Sequence, residues 1–448
     1  MHPDQSPPPP STRRAWLIIV LPLLLLVAMG LVIWSSDETP PDVSDLVFKP
    51  LDLPDDQNAY AVLSQVTTLP PLREWTDDEH KKFDAMCANE DWDDALAQAA
   101  LADLSPAWPL LEKAAALPQG QAPWFTSFDD LIPEIGPIRK RAQLLQLKAL
   151  SEARAGNPDE ALRTTTVALS IGRVIDESRG GLIHHLIGAM TKQIGLKTIQ
   201  VIVTHHSPSP EALRRTLDAV STSRSPAEAL KLSLYSELRP FDSMLVHIRT
   251  NGLGVLSSGT PSAWLKPTGR IPLLLKPNRT RRIYSEYLRN SAALIDQPYD
   301  DLAKNSFLRD FIPSQTRARF RYSPDNFLGR MFLNIVTPAT AGILKNRLRH
   351  QSLISATEAL LAVHLYKHAH GEFPATLDAL VTSLLPAVPR DYADGAPIRY
   401  SRDLGVIWSA GEKSLVITDP AQVIEARETV LYLNPPAKNP APALPDAP

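Results

Sequence analysis

The sequence predicts a mainly α protein: an N-terminal transmembrane helix, a multi-helix hairpin body, and a small C-terminal α+β domain with an antiparallel sheet. Three observations predict it. One uninterrupted apolar run lies near the N-terminus, helix-start signals recur through the middle, and short β-rich runs punctuated by Gly and Pro lie near the end. The chain of 448 residues, 44% hydrophobic and 21% charged, is long enough for two or three domains, each with its own core. The reading divides it into a cytoplasmic Pro-rich tail (1–14), a transmembrane helix (15–34), an extracytoplasmic linker (35–55), a helical body (56–350), an α+β domain (351–433) and a Pro-rich tail (434–448).

The two tails, "PDQSPPPPST" and "NPPAKNPAPALPDAP", lack the apolar side chains that would offset the entropy of ordering. The apolar run follows the first of them. Residues 15–34 are twenty uncharged, almost wholly apolar positions, which at helical rise cover the roughly 30 Å hydrocarbon layer of a bilayer. Trp16 and Trp34 mark its ends, where amphipathic rings favour the headgroup level. Arg13 and Arg14 precede it, and Asp37, Glu38, Asp42 and Asp45 follow before the first lysine, Lys49. The excess of basic residues on the cytoplasmic side of membrane helices then places the N-terminus in the cytoplasm and the bulk of the chain in the periplasm, outside a bacterial inner membrane. A cleaved signal peptide ending near "AMG" (28–30) is the competing reading; the run exceeds the usual hydrophobic length of about 7 to 15 residues, which favours an uncleaved anchor. Residues 35–55, with four prolines, many acids and no period, read as a linker.

Charge is unevenly placed. Asp37 to Asp103 holds 17 acidic and 4 basic side chains, whereas Lys266 to Arg349 holds 16 basic and 6 acidic. Pairing between the two regions is the first explanation, an anionic lipid surface at 266–349 the second, and nucleic acid a distant third. Cys87 is the only cysteine, which excludes an intrachain disulfide and a cysteine-based zinc site and suits a small buried hydrophobe.

In the body, "TDDE" (76–79) and "SPAE" (225–228) read as capping boxes, and "NPDE" (157–160) as a third with Asn157 as cap and Pro158 in the first turn. Gly156 reads as a left-handed helix end. The unit "LKALSEARAGNPDEALRTTTVALSI" resembles a single tetratricopeptide-like repeat, with Gly156, Ala161, Ala168 and Leu169 at its small or apolar positions; no clear copy follows at about 34 residues, so a helix-hairpin region is expected rather than an array. The pairs His184–His185 and His205–His206 put neighbours about 100° apart on a helix, too divergent to share a metal. Residues 250–270, rich in Gly, Ser, Thr and Pro, read as a long loop, and "RARFRY" (317–322) as a solvated or lipid-facing patch.

Three histidines in "HLYKHAHGEF" raise the question of a metal. On a helical wheel His364 and His368 fall within the apolar arc set by Leu353, Ile354, Ala356, Leu360, Leu361, Val363 and Leu365. They are the metal candidates, spaced i and i+4, with Glu372 or Asp378 as a third ligand; packing and helix-end capping is the competing and simpler reading. No cofactor is indicated.

The segment from Tyr366 onward resembles the soluble tail of type II secretion major pseudopilins. The likeness rests on Tyr366, the turn Gly371, Phe373 and Pro374, and the run Pro389, Asp391, Gly395, Pro397 and Tyr400. It implies a short helix leading into a small antiparallel sheet, with candidate strands "PIRYS", "GVIWSA", "SLVIT" and "ETVLYL". Asp391 and Asp394 are placed to bond nearby amides. The calcium loop of that family is not matched, since Lys413 stands where an acid is expected, and more than 300 residues separate the anchor from this tail. As a whole the chain resembles bacterial membrane-anchored families of planctomycete and verrucomicrobial type, which implies no particular activity.

The sequence therefore points to a membrane-anchored binding or scaffolding protein with a protein partner in the envelope. A membrane-tethered hydrolase or metalloenzyme using His364 and His368 is the alternative, although no Gly-x-Ser-x-Gly, His-Glu-x-x-His, phosphate-loop or dinucleotide motif occurs. A component associated with a secretion system is a further one.

Overall fold

The computed structural model describes residues 20–27, 29–30, 36–125, 127, 129–130, 132–252, 254, 265–305, 325–337, 339–411, 416–418, 422 and 430–434. These are mainly helical, with one small three-stranded antiparallel sheet. In chain order the helices are α1 (Ala59–Ser64), α2 (Asp77–Cys87), α3 (Asp94–Leu104), α4 (Trp108–Ala116), α5 (Ile135–Arg154), α6 (Pro158–Asp176) and α7 (Leu182–His205). Then come α8 (Pro210–Thr222), α9 (Ala227–Ser236), α10 (Leu238–Asn251), α11 (Pro277–Ala293), α12 (Tyr299–Lys304), α13 (Phe327–Val336) and α14 (Ala339–His370). The strands are β1 (Arg399–Ser401), β2 (Val406–Trp408) and β3 (Val430–Tyr432), paired in the order β1-β2-β3. The chain forms two compact units, one from residues 1–43, 242–287 and 310–337, the other from 44–241, 288–309 and 338–448.

In the larger unit, α5 and α6 make the expected hairpin. Gly156 adopts φ +85°, and the amides of Gly156 and Asn157 bond back to Ala153 and Glu152 at 3.1 and 2.9 Å, a Schellman closure that turns the chain. Asn157 makes no side-chain cap; its backbone is already used in that closure, and Pro158 stands in the first turn as expected. The capping box at Thr76 and Glu79 is present. That expected at Ser225 and Glu228 is absent, because the Ser225 hydroxyl is turned inward.

One core cluster gathers Leu63, Met86, Leu104, Leu111, Leu145 and Ile171 from α1 to α6. Cys87 packs beside it, half-buried, and burial pushes its thiol up to about 12. A second cluster joins Leu162, Leu196, Ile199, Leu213 and Leu217 of the hairpin region to Leu360 and Leu361 of α14, then to Leu380, Ile398, Ile407 and Leu431. The boundary expected at 350/351 thus falls inside α14, and one core runs across it, while Val406, Trp408, Ile417 and Val430 make a small cluster of their own. Three of the four candidate strands form; residues 416–418 of "SLVIT" are not in a strand. Asp391, fully buried, ties the sheet to α14 by accepting from Ser352 Oγ (2.7 Å), Ser409 Oγ (2.8 Å) and the amides of Ala393 (3.0 Å) and Ala410 (2.8 Å), and it pairs with Arg399 at 2.5 Å. Asp394 accepts from the Ala396 amide at 3.0 Å.

In the smaller unit, Asp37 caps α11 from a distant part of the chain, accepting from the amides of Asn278 (2.8 Å) and Arg279 (3.1 Å). Glu38 pairs with Arg282 at 2.7 Å, Asp242 with Arg281 at 2.9 Å, and Asp325 with Lys276 and Arg279 at 2.8 and 2.9 Å. Asn326, at φ 53°, bonds the Lys276 amide through its side chain and the Leu273 carbonyl through its own amide. A 3-10 turn, Lys266–Arg270, lies tight on the end of α10: a Cβ on Gly269 would stand 2.2 Å from the Ile248 carbonyl oxygen.

Part of the linker expected at 35–55, residues 37–48, makes contacts within each unit that it enters. Beside the docked Asp37 and Glu38, Val43 is buried; in the larger unit Leu46 is buried, Asp45 pairs with Arg289 at 2.6 Å and Phe48 stacks edge-on against Trp124. Pairing between the acidic and basic regions is therefore seen at Glu38–Arg282 and Asp45–Arg289. The expected transmembrane span has residues 15–19, 28 and 31–34 outside the described residues; 20–27 and 29–30 are helical, with their leucines exposed. Among the described residues no helix is long and apolar enough to cross a membrane. "RARFRY", residues 255–264 of the expected loop and the tails 1–14 and 435–448 also lie outside the described residues.

Candidate functional site

The densest chemistry in the larger unit sits where α6 and α7 cross. Their backbones nearly touch there: a Cβ on Gly188 would lie 2.6 Å from the Gly172 carbonyl oxygen, and one on Gly172 would lie 2.5 Å from Lys192 Cγ. That close approach brings Asp176, at the end of α6, against His185 and Lys192 on α7. His185, Gly188, Lys192 and Gly195 follow one another at i, i+3, i+7 and i+10, a single stripe of α7 facing α6.

The polar side chains of the stripe meet Asp176 and the segment 223–225. His185 Nδ1 donates to Asp176 Oδ1, and Lys192 Nζ donates to Asp176 Oδ2 at 2.6 Å, to Ser225 Oγ, and to the Ser223 carbonyl at 3.3 Å, which uses all three ammonium hydrogens. Ser225 Oγ in turn donates to Asp176 Oδ2. The Ser225 carbonyl accepts from Arg347 (3.0 Å) and Gln351 (3.1 Å) of α14, and Arg347 forks onto Asp296 at 2.7 and 3.1 Å. Lys192 has no exposed surface and Asp176 only 1%. Burial works against the Asp176 charge, yet the Lys192 ammonium and His185 hold its carboxyl well below the ordinary carboxylate range.

Asp176, His185, Ser225, Asn346, Arg347 and His350 line a cavity of about 20 Å³, room for about one water molecule. His350 is buried, its Nε2 has no partner among the described residues, and burial with the nearby Lys192 charge pushes its pKa well below the usual imidazole value. Hydroxyl, amine, imidazole and carboxylate are thus assembled as in a nucleophile with its base, but their bonds close on one another around a space for about one water. The arrangement can hold a water and resist protonation; it fixes three helices against each other.

A second buried group lies nearby on α7. Tyr60 Oη stands 2.8 Å from His184 Nε2 and donates to Glu134 Oε1 at 3.2 Å; burial alone pushes the His184 pKa down to about 4. The two adjacent histidines therefore enter separate networks, in keeping with their angular separation.

The metal candidates, one turn apart on α14, differ in burial. His364 is buried, its ring edge-on to Phe373 at 5.4 Å, and burial with the Lys367 charge pushes its pKa down to about 4. His368 is exposed, because the core beneath α14 ends one turn earlier, at Leu365, so the apolar arc drawn from the sequence stops short of it. His370 stacks on Tyr366 with ring centres 3.9 Å apart. Glu372 is paired with Arg402 at 2.6 Å. Among the described residues no group of three or more His, Cys, Asp and Glu side chains comes together to hold a metal ion.

Asp176, His185, Lys192, Ser225, Arg347 and His350 were not singled out by sequence as a group. A signal existed: a lysine in the middle of the apolar helix "LIHHLIGAMTKQIGLKTIQVIV", on the same stripe as two glycines. No family model matches the sequence, and no curated protein or solved structure matches the chain.

Proposed function

We propose that the chain is a single-pass membrane-anchored protein of the bacterial envelope, whose folded part serves as a binding or scaffolding module on the periplasmic face of the inner membrane. The observation that carries this reading is the apolar run 15–34, with two arginines before it and four acids after it. The metal-dependent hydrolase has less support, since His364 and His368 stand apart in burial.

Association with a secretion system is the second reading. It is favoured by the order of elements after Tyr366: the end of α14, the Gly371 turn at φ +83°, a short 3-10 helix at Leu377–Leu380 and a three-stranded antiparallel sheet.

A reporter fused after residue 60, read together with N-terminal sequencing of the purified protein, tests the first reading. Activity of a periplasmic reporter on an intact N-terminus is the expected result. Activity of a cytoplasmic reporter at the same fusion point would overturn it.

A further inference from the structure

Building on the anchor just proposed, we infer that the smaller unit rests on an anionic lipid surface, with Val246, Ile271, Phe327 and Ile335 at headgroup depth and Arg249, Lys266 and Arg270 against lipid phosphates. The apolar part is plain in the exposures, 65% for Val246, 42% for Ile271, 42% for Phe327 and 64% for Ile335. Helix α13 carries apolar residues on both sides: Leu328, Phe332 and Leu333 are buried, while Phe327 and Ile335, two turns apart, face outward. Its outward side carries Phe327 and Ile335 with the polar Asn334 beside them, a mixed surface suited to the interface between lipid and water.

These side chains belong to adjoining pieces of backbone. The turn Lys266–Arg270 lies against Ile248 and Arg249 at the end of α10, through the close approach at Gly269. The turn that follows, residues 271–275, bonds to the start of α13, the Asn326 amide to the Leu273 carbonyl at 2.7 Å and the Leu328 amide to that of Leu274 at 2.9 Å.

Charge selects the occupant. Asp37, Glu38, Asp242 and Asp325 are engaged by the α11 amides, Arg282, Arg281, Lys276 and Arg279. Arg249, Lys266 and Arg270 are exposed and have no ion-pair partner among the described residues. Exposed cations interleaved with exposed aliphatic and aromatic side chains match an anionic headgroup layer.

Chain length puts the bilayer within reach. Asp37 is bonded to the first turn of α11 in this same unit, and only Ser35 and Ser36 separate it from Trp34, the end of the proposed span. Even fully extended, the chain from Trp34 to Asp37 reaches about 10 Å, so the unit cannot stand clear of the membrane in which the anchor is set.

The test uses full-length protein carrying Cys87→Ala and a single nitroxide-labelled cysteine at either Ile335→Cys or the exposed control Asp52→Cys. Each is reconstituted in phosphatidylcholine vesicles with and without phosphatidylglycerol, and the label's accessibility to oxygen and to a nickel chelate is read before and after a carbonate wash. We expect the Ile335 label to lose nickel accessibility several-fold and to gain oxygen accessibility when phosphatidylglycerol is present, the Asp52 label to stay aqueous, and R249E/K266E/R270E to abolish the dependence on phosphatidylglycerol. An Ile335 label that stays aqueous in protein retained through the wash would overturn the lipid contact while leaving the anchor standing; shielding that appears only in native membranes would do the same, in favour of a protein partner. A label shielded before the wash in protein that the wash removes would sustain the lipid contact and sink the anchor.

Discussion

Lys192 and Asp176 make a charged pair with almost no solvent, and such a pair is most visible when one half is removed. Lys192→Met should leave Asp176 buried and uncompensated, at a cost of roughly 3 to 5 kcal/mol in urea unfolding followed by near-ultraviolet circular dichroism. Adding Asp176→Leu to it should recover part of that loss, since apolar replacement of both partners removes the orphaned charge. The buried histidines set a pH dependence of definite sign. His184 and His364 are pushed down to about 4 from the ordinary 6.5, so the unfolded chain binds protons that the folded one refuses between those values. Their contribution is complete above pH 6.5 and is lost as pH falls toward 4, with a slope near 1.4 kcal/mol per pH unit for each histidine. His364→Leu should flatten the dependence of unfolding free energy on pH across that window; an unchanged slope would count against a neutral buried ring. At this scale the sequence was partly legible. Gly156, Pro158, Thr76 and Asp391 could be read because each satisfies a local backbone need. Ser225 could not: its spacing to Glu228 matches a helix cap, and only the distant Lys192 and Asp176 decide where its hydroxyl turns.

Among the elements, the contact of α6 with α7 is the most exacting, because it rests on two glycines. Gly188→Ala would drive a Cβ into backbone on α6 and should destabilise the protein by about 1 to 3 kcal/mol, while Gly342→Ala on α14, with open space around the new methyl group, should gain up to about 1 kcal/mol from helix propensity. Thermal unfolding of the two variants side by side checks both signs. Helix existence was readable from periodicity, and so was the hairpin, since its turn chemistry is local. The end of the apolar face on α14 was not, because a helical wheel carries no information on where a neighbouring layer stops. His368 continues the stripe on paper, whereas beneath it the core has already run out.

At the scale of the molecule, the core that joins α7 and α8 to α14 and the C-terminal sheet makes the α+β segment inseparable from the hairpin helices. A chain ending after His370 would uncover the face that carries Leu360 and Leu361 and would lose Leu377, Leu380, Ile398, Ile407 and Leu431, a loss on the order of 10 kcal/mol. Such a truncation should render the α5–α8 region sensitive to limited proteolysis, whereas a separable domain would leave it resistant. The expected boundary at 350/351 came from a resemblance that begins near Tyr366, and a resemblance in sequence does not report what lies underneath. The Lys192 amine, sealed and fully bonded, has a practical use that follows from its enclosure. Acylating reagents in solution will tag the surface lysines within minutes and pass this one by, so the mass increment at that single side chain becomes a clock for how often α6 and α7 part.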